Sequence, residues 1–425
     1  MGPEIYAIIL FVLVIGVFLS PISTSIIALL LPVYCIVTGL APLEKILPFF
    51  ADKTLWLVFC MQMFGLAIFE VGLADKIGNK LYSAVERTKF KDKEKFTLAL
   101  VLAVAGLCST VLQNLGVTLA FMPVVIAIAR KTGVSRTKLL MILAIATGLG
   151  GASTLVGTPM HAVINGVLNE NGVASFGMFD YTWTALPIWV IGGGILVFFN
   201  KYLLPERYKE VVDHSSALES AEIKGTPYQQ AVVGIGYLLF ILAIIFKKQT
   251  GIPEAAAGMA LIAIMALLKG LPIETLIKGI KVPFLLEAGC LLAMVSIMGS
   301  SGAAELIAAP VISILGADAS PRLVIAVFFL LAAVLTQFMV NQYTATLLVP
   351  IALGFASSVG MAPEGIVMAV LMGCNCCFCT PTATTANLVV MDDGKIKFID
   401  YLKPGLVMMA VGLIVNVVVL PIIWY

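Results

Sequence analysis

Ser109-Thr110-Val111-Leu112-Gln113-Asn114, with Pro123 nine residues past the asparagine, returns as Thr336-Gln337-Phe338-Met339-Val340-Asn341, with Pro350 nine residues past it. In both copies a hydroxyl side chain stands five residues ahead of the asparagine. Each copy is followed by a second matched piece: Gly157-Thr158-Pro159 with Asn165, then Cys379-Thr380-Pro381 with Asn387. Each of these asparagines stands seven residues past the threonine. Polar breaks that recur inside apolar segments mark a membrane transporter built from two related halves around a central site. The duplication therefore locates a binding site at the paired breaks.

The composition agrees with a membrane setting. Hydrophobic residues make up 60% of the 425 and charged ones 12%, with a mean hydropathy of +1.07, whereas a soluble domain is about one-quarter charged. Length alone would allow two or three soluble domains, but the counting unit here is the span of about 20 apolar residues. The first apolar run, from Ile5, has neither a basic leader nor a small-residue cleavage site and is expected to be a span rather than a signal peptide. A net charge of +2 says nothing about nucleic acid.

Hydropathy predicts an all-α polytopic fold of ten spans and two hairpins. The spans fall at 4–20, 22–40, 54–74, 139–170 (broken), 182–204, 228–247, 253–269, 283–301, 364–391 (broken) and 402–424. The hairpins, 97–131 and 320–358, are apolar stretches of about 35 residues interrupted near the middle, too short for two crossings of about 20 residues plus a turn. Re-entrant hairpins fit better. Basic residues give the orientation. With both termini outside, 21 of the 26 Lys and Arg face the cytoplasm, including Lys76–Lys95, Arg130–Lys138, Lys201–Lys224, Lys269–Lys281 and Lys395–Lys403. Lys45, Lys53, Lys247, Lys248 and Arg322 remain outside. Five spans per half is an odd number, so the second half is expected upside down relative to the first, in an inverted repeat. The expected organisation is scaffold helices at 1–96 and 228–319, transport parts at 97–204 and 320–425, and a polar cytoplasmic linker at 205–227.

Non-helical backbone at membrane depth survives only where protein buries it or a wet cavity hydrates it. Gly148, Gly150, Gly151 and Gly157 loosen the fourth span, and Thr158-Pro159 restarts it with proline at a helix N-terminus. Such N-termini favour an anion. Freed carbonyls and the oxygens of Ser109, Asn114, Thr336 and Asn341 suit a small hard cation. No Lys or Arg occurs at either tip, leaving recognition to hydroxyls, amides and backbone.

At these residues the chain resembles the divalent-anion:sodium symporter family of the ion-transporter superfamily. The family's Ser-Asn-Thr triplet falls at each hairpin tip. Here it reads Gln113-Asn114-Leu115 and Val340-Asn341-Gln342, with both asparagines kept and the flanking hydroxyl residues replaced. The family's Gly-Thr-Pro break is intact at 157–159, and its second break reads Cys379-Thr380-Pro381. The resemblance implies one sodium site from Ser109, Asn114 and the Gly157 carbonyl. A second would use Thr336, Asn341 and the carbonyls of Met339 and Cys379. It implies substrate contacts from Asn114, Thr158, Pro159, Asn341, Gln342, Thr380 and Pro381. It also implies a homodimer working as an elevator, with no enzymatic activity and no cofactor beyond sodium as coupling ion.

Plainer readings compete at several positions. A lone intramembrane asparagine often just bonds across helices, and matched placement in both copies argues against that here. Cys374, Cys376, Cys377 and Cys379 lack paired C-x2-C units and a nearby histidine, so they read as small packing residues rather than a metal or redox centre. His161 reads as a packed histidine and His214 as a solvated one. Glu70, Glu254 and Glu287 stand near span ends, away from tips and breaks, which argues against cation/proton exchange.

The chain is thus expected to be a secondary active transporter of a small anion, first a di- or tricarboxylate with sodium, in the plasma (inner) membrane. Proton-coupled or exchange carriage of another anion is the alternative within transport, and a membrane redox protein using the cysteine cluster is the alternative outside it. Nucleic acid is not an expected partner.

Overall fold

The computed structural model describes residues 2–18, 25–86, 92–208, 225–316 and 319–425, and every regular element within them is a helix. Five of these helices are long and apolar enough to cross a membrane singly: Leu43–Glu70, Asn114–Thr132, Pro227–Ile245, Asn341–Val359 and Phe398–Trp424. Other expected spans are shorter or composite, such as Thr182–Phe198, which passes through a π turn at Ile188–Gly192.

One succession of elements occurs twice. Lys53–Glu70 is followed by Leu73–Glu86, a helical hairpin (Lys93–Ser109, Asn114–Thr132) and a broken helix (Arg136–Gly151, Pro159–Glu170). Val282–Ser301 is followed by Ala303–Leu315, a second hairpin (Pro321–Leu335, Asn341–Val359) and a second broken helix (Pro363–Asn375, Thr385–Gly394). Helices Leu73–Glu86 and Ala303–Leu315 have no counterpart in the sequence reading. Gly72 and Gly302, at φ 72° and 76°, turn the chain into them. Each then packs along the second arm of the hairpin that follows it.

The hairpins start and stop by matching local devices. The Asp92 and Ser320 side chains accept from the Lys95 and Leu323 backbone N–H groups, capping the first arms. Gly133 and Gly360, at φ 70° and 69°, close the second arms in the left-handed conformation. Arms of 17 and 19 residues in the first hairpin are about 26 and 28 Å long at 1.5 Å per residue.

The first arm of each hairpin lies against the first half of the broken helix that follows. Small residues permit the approach. A Cβ on Gly150 would overlap the Gly106 carbonyl, and one on Gly373 would meet the Phe329 carbonyl and Ala332. A smaller apolar core joins Pro3–Phe18 and Ser25–Thr38 to Val282–Ser301 through Leu10, Phe11, Cys35, Ala293 and Met298.

A polar clasp ties the hairpin base and both broken helices to residues 206–208. The fully buried Lys138 ammonium meets Glu94 Oε1 at 2.7 Å and Glu206 Oε2 at 2.9 Å. The Tyr208 carbonyl accepts from the Arg136 N–H (3.1 Å) and from Ser135 Oγ (3.0 Å). Thr137 Oγ1 donates to the Gly394 carbonyl at 2.7 Å, Arg136 pairs with Asp393 at 2.7 Å, and Arg207 pairs with Asp400 at 2.7 Å. Most of the expected linker, 209–224, lies outside the described residues. Beyond it, Gln230 Nε2 donates to the Val71 carbonyl at 2.9 Å and its Oε1 accepts from Lys76.

Candidate functional site

The two hairpin tips and the two helix restarts line one cavity of about 360 Å³. The tips contribute Gln113, Asn114, Leu115, Val340, Asn341 and Gln342, and the first break contributes Gly157, Thr158 and Pro159. Asn114 and Asn341 each begin the second arm of a hairpin, following residues in extended backbone (φ/ψ −62°/135° at Gln113, −64°/138° at Val340).

One amide atom of Asn114 lies 2.9 Å from Ser109 Oγ, 3.1 Å from the Thr147 carbonyl and 3.2 Å from the Gly157 carbonyl. Two arrangements satisfy that crowd. The NH2 faces the oxygens and donates to them, or the amide oxygen joins them around a small cation, for which hard oxygen ligands are suited. Around Asn341 the set differs. Thr336 Oγ1 donates to Asn341 Oδ1 at 2.8 Å and lies 3.2 Å from the Cys374 carbonyl, while Asn341 Nδ2 lies 3.3 Å from Cys377 Sγ.

The second break corrects the sequence alignment of the repeats by four residues. The first half-helix does restart at Thr158-Pro159, but the second restarts at Thr384-Thr385. Thr158 and Thr384 share one extended geometry, φ/ψ −138°/135° and −149°/144°. Thr380 instead occupies the place of Thr154. The Thr154 hydroxyl donates to the Thr110 carbonyl, and that of Thr380 donates to the Gln337 carbonyl at 2.7 Å. Thr380 and Pro381 are therefore buried inside the unwound segment, and Thr382, Ala383, Thr384 and Thr385 line the cavity there. Likewise Asn387 corresponds to His161 rather than Asn165. Asn387 Nδ2 donates to the Thr380 carbonyl at 3.0 Å, as His161 Nδ1 does to Thr154 at 2.8 Å. Asn165 holds Phe176 through two bonds of 2.8 and 3.0 Å.

His161 is fully buried, stacked on Tyr181 at 3.9 Å, and its Nε2 accepts from Asn375 Nδ2 at 3.0 Å. The clustered cysteines are buried free thiols, and among the described residues no three of His, Cys, Asp and Glu converge as a metal site. Cys377, not Cys379, presents a polar atom to Asn341, and the Cys379 N–H donates to Gln337 Oε1 at 2.9 Å. Gln337 also donates to the Cys376 carbonyl at 2.9 Å and so braces the second break.

Sequence reasoning missed four further residues of the cavity wall. Gln62, Lys281, Glu287 and Tyr343 also line the cavity, so ionisable groups do stand at the site. The Tyr343 hydroxyl donates to Glu287 Oε2 at 2.8 Å, joining the second tip to helix Val282–Ser301. Linear spacing gives no signal for Gln62, Lys281 and Glu287, because only the fold brings them to the tips.

Gly151 offers a check on the Asn114 geometry. A Cβ there would overlap the Asn114 amide. Gly151→Ala is expected to reduce transport at least tenfold while leaving a monodisperse protein, measured by uptake into proteoliposomes beside size-exclusion chromatography.

Duplicated tips and breaks around one polar cavity, in an all-helical apolar chain, define a membrane transporter, an integral membrane protein rather than an enzyme. The sequence model of the citrate transporter family (CitMHS) matches residues 8–373 and 237–425, and the chain belongs to that family. An uncharacterized transporter of Haemophilus influenzae is 24% identical over 418 residues, 93% of this chain and 86% of that protein. The sodium-dependent dicarboxylate transporter SdcS of Staphylococcus saprophyticus is 22% identical over 346 residues, 74% of this chain and 66% of its own length. Among solved structures, the YdaH transporter of Alcanivorax borkumensis matches in fold with a TM-score of 0.64 at 14% identity, over 99% of this chain and 98% of that one.

Proposed function

We propose that the chain is a sodium-coupled symporter of a di- or tricarboxylate. The observation that carries this is the gathering of Ser109 Oγ, the Thr147 and Gly157 carbonyls and the Asn114 amide beside the cavity. Membership of the citrate transporter family and similarity to a sodium-dependent dicarboxylate transporter support the substrate class and the ion. Asn114, Thr158, Pro159, Asn341 and Gln342 would meet substrate, joined at the second break by Thr384 and Thr385 in place of Thr380 and Pro381. The second ion site is built on Thr336, Asn341 and the Cys374 carbonyl. This site replaces the expected Met339 and Cys379 carbonyls.

In this reading the hairpins and broken helices of 97–204 and 320–425 move as one carrier against the frame of 1–96 and 228–319. The protein works as a homodimer in the inner membrane. Sodium without a carboxylate ligand binds weakly alone, and the anion strengthens it by the factor sodium returns to the anion. Citrate or succinate uptake into proteoliposomes should therefore require sodium, and Ser109→Ala with Thr336→Ala should remove that requirement's benefit, lowering uptake at least tenfold. Glu287 on the cavity wall favours a second reading, proton-coupled carriage. Uptake indifferent to sodium, driven by a proton gradient and lost in Glu287→Gln would replace the first reading with this one.

The orientation has its own check. On a cysteine-free background, Phe90→Cys should react with an impermeant thiol label from the cytoplasm only. Val173→Cys and Ser358→Cys should react from outside only, and any reversed position contradicts an inverted repeat with outside termini.

A further inference from the structure

Helix Val282–Ser301 brings a cation to a cavity whose tips have none. Lys281 caps that helix and lines the cavity, its backbone N–H fixed at 2.6 Å by Oε1 of the buried Gln62. Among the described residues no carboxylate pairs with its ammonium, and the nearby Glu287 carboxylate accepts from Tyr343. The tips add two donors in want of an acceptor. Gln113 Nε2 and Gln342 Nε2 are buried without a hydrogen-bond partner, Gln342 being only 7% exposed. A buried donor left unpaired is costly, so both NH2 groups are suited to donating to oxygens of a bound molecule.

We propose that Lys281 is the specificity-determining residue that selects tricarboxylates over dicarboxylates. Resting on the carboxylate reading above, it assigns two carboxylates of the substrate to the tips, one at each asparagine. The third falls to the Lys281 ammonium across the cavity. A dicarboxylate has no group left for that contact, so the lysine adds to one substrate class far more than to the other. Lysine serves as a compact point charge on a flexible stem, which tolerates some variation in where the third carboxylate lies.

The experiment is calorimetric titration of purified protein with citrate and with succinate at one fixed sodium concentration and pH. The variants are Lys281→Gln and Lys281→Arg. Lys281→Gln should lower the citrate-to-succinate affinity ratio at least tenfold, and Lys281→Arg should keep that ratio within about threefold of the parent protein, since a cation is retained. An unchanged ratio in Lys281→Gln, including equal weakening of both ligands, overturns the assignment and leaves carboxylate binding standing. Failure of the parent protein to bind either carboxylate overturns the functional reading itself, and the role of Lys281 falls with it.

Discussion

Asn114→Ala and Asn341→Ala should each abolish carboxylate uptake, by at least a hundredfold, without loss of folded protein. Each asparagine begins a hairpin arm on the cavity wall. Each also meets the hydroxyl five residues earlier, Ser109 at 2.9 Å and Thr336 at 2.8 Å. In the reading proposed above, one amide would serve two tasks, oxygen toward the coupling ion and NH2 toward an anion, and alanine would remove both together. The arms themselves are held by their own caps and by packing outside the cavity, so the fold should survive. Uptake in proteoliposomes together with thermal melting in detergent separates the effects. Near-normal uptake by either variant removes that tip from the site, and a large fall in melting temperature would show a structural role instead.

The second large effect is expected at the clasp. Lys138 is fully buried with Glu94 and Glu206 as its ion partners and Asn200 Oδ1 at 3.4 Å. Removing the partners of a buried charge leaves it uncompensated, at about 3–5 kcal/mol. Removing the buried charge itself leaves no stranded charge where its partners can still reach water. Glu94→Gln combined with Glu206→Gln should therefore destabilise the protein by about 3–5 kcal/mol, the range for stranding a buried charge. Lys138→Met should cost much less, because Glu94 and Glu206 remain partly exposed and can hydrate. Chemical denaturation monitored in detergent gives the comparison. If Lys138→Met proves the worse variant, the network stabilises by attraction more than the lysine costs by burial.

The parts of this architecture that were legible in the chain are those written by local chemistry. Apolar run length showed the helices, and the repeated asparagine with its hydroxyl and proline showed the tips, because a tight turn between two apolar helices must satisfy its own backbone within a few residues. Thr158-Pro159 was legible for the same reason, proline being suited to a helix's first turn. Thr380-Pro381 misled because the same dipeptide can sit inside an unwound segment when a threonine hydroxyl ties it to a neighbouring carbonyl, here that of Gln337. Lys281 and Glu287 were unreadable as cavity residues. From the sequence they stand near the end of an ordinary span, and only the packing of that span against the second hairpin brings them to the tips. Cys377 was likewise hidden among three similar neighbours, since only the path of the unwound backbone decides which thiol meets Asn341.

The two anchorages of the central linker would set a limit on the carrier movement proposed above. Residues 206–208 are clasped to the bases of the first hairpin and both broken helices, whereas Gly225 and Gln230 rest on Val71 and Lys76 beside the first long helix. Between Tyr208 and Gly225 run 17 residue steps, whose contour length is at most about 60 Å. That figure is the longest separation the tether allows between its two moorings. Deleting residues between the moorings would lower that ceiling, so the reach of the carrier movement proposed above can be tested through chain length alone.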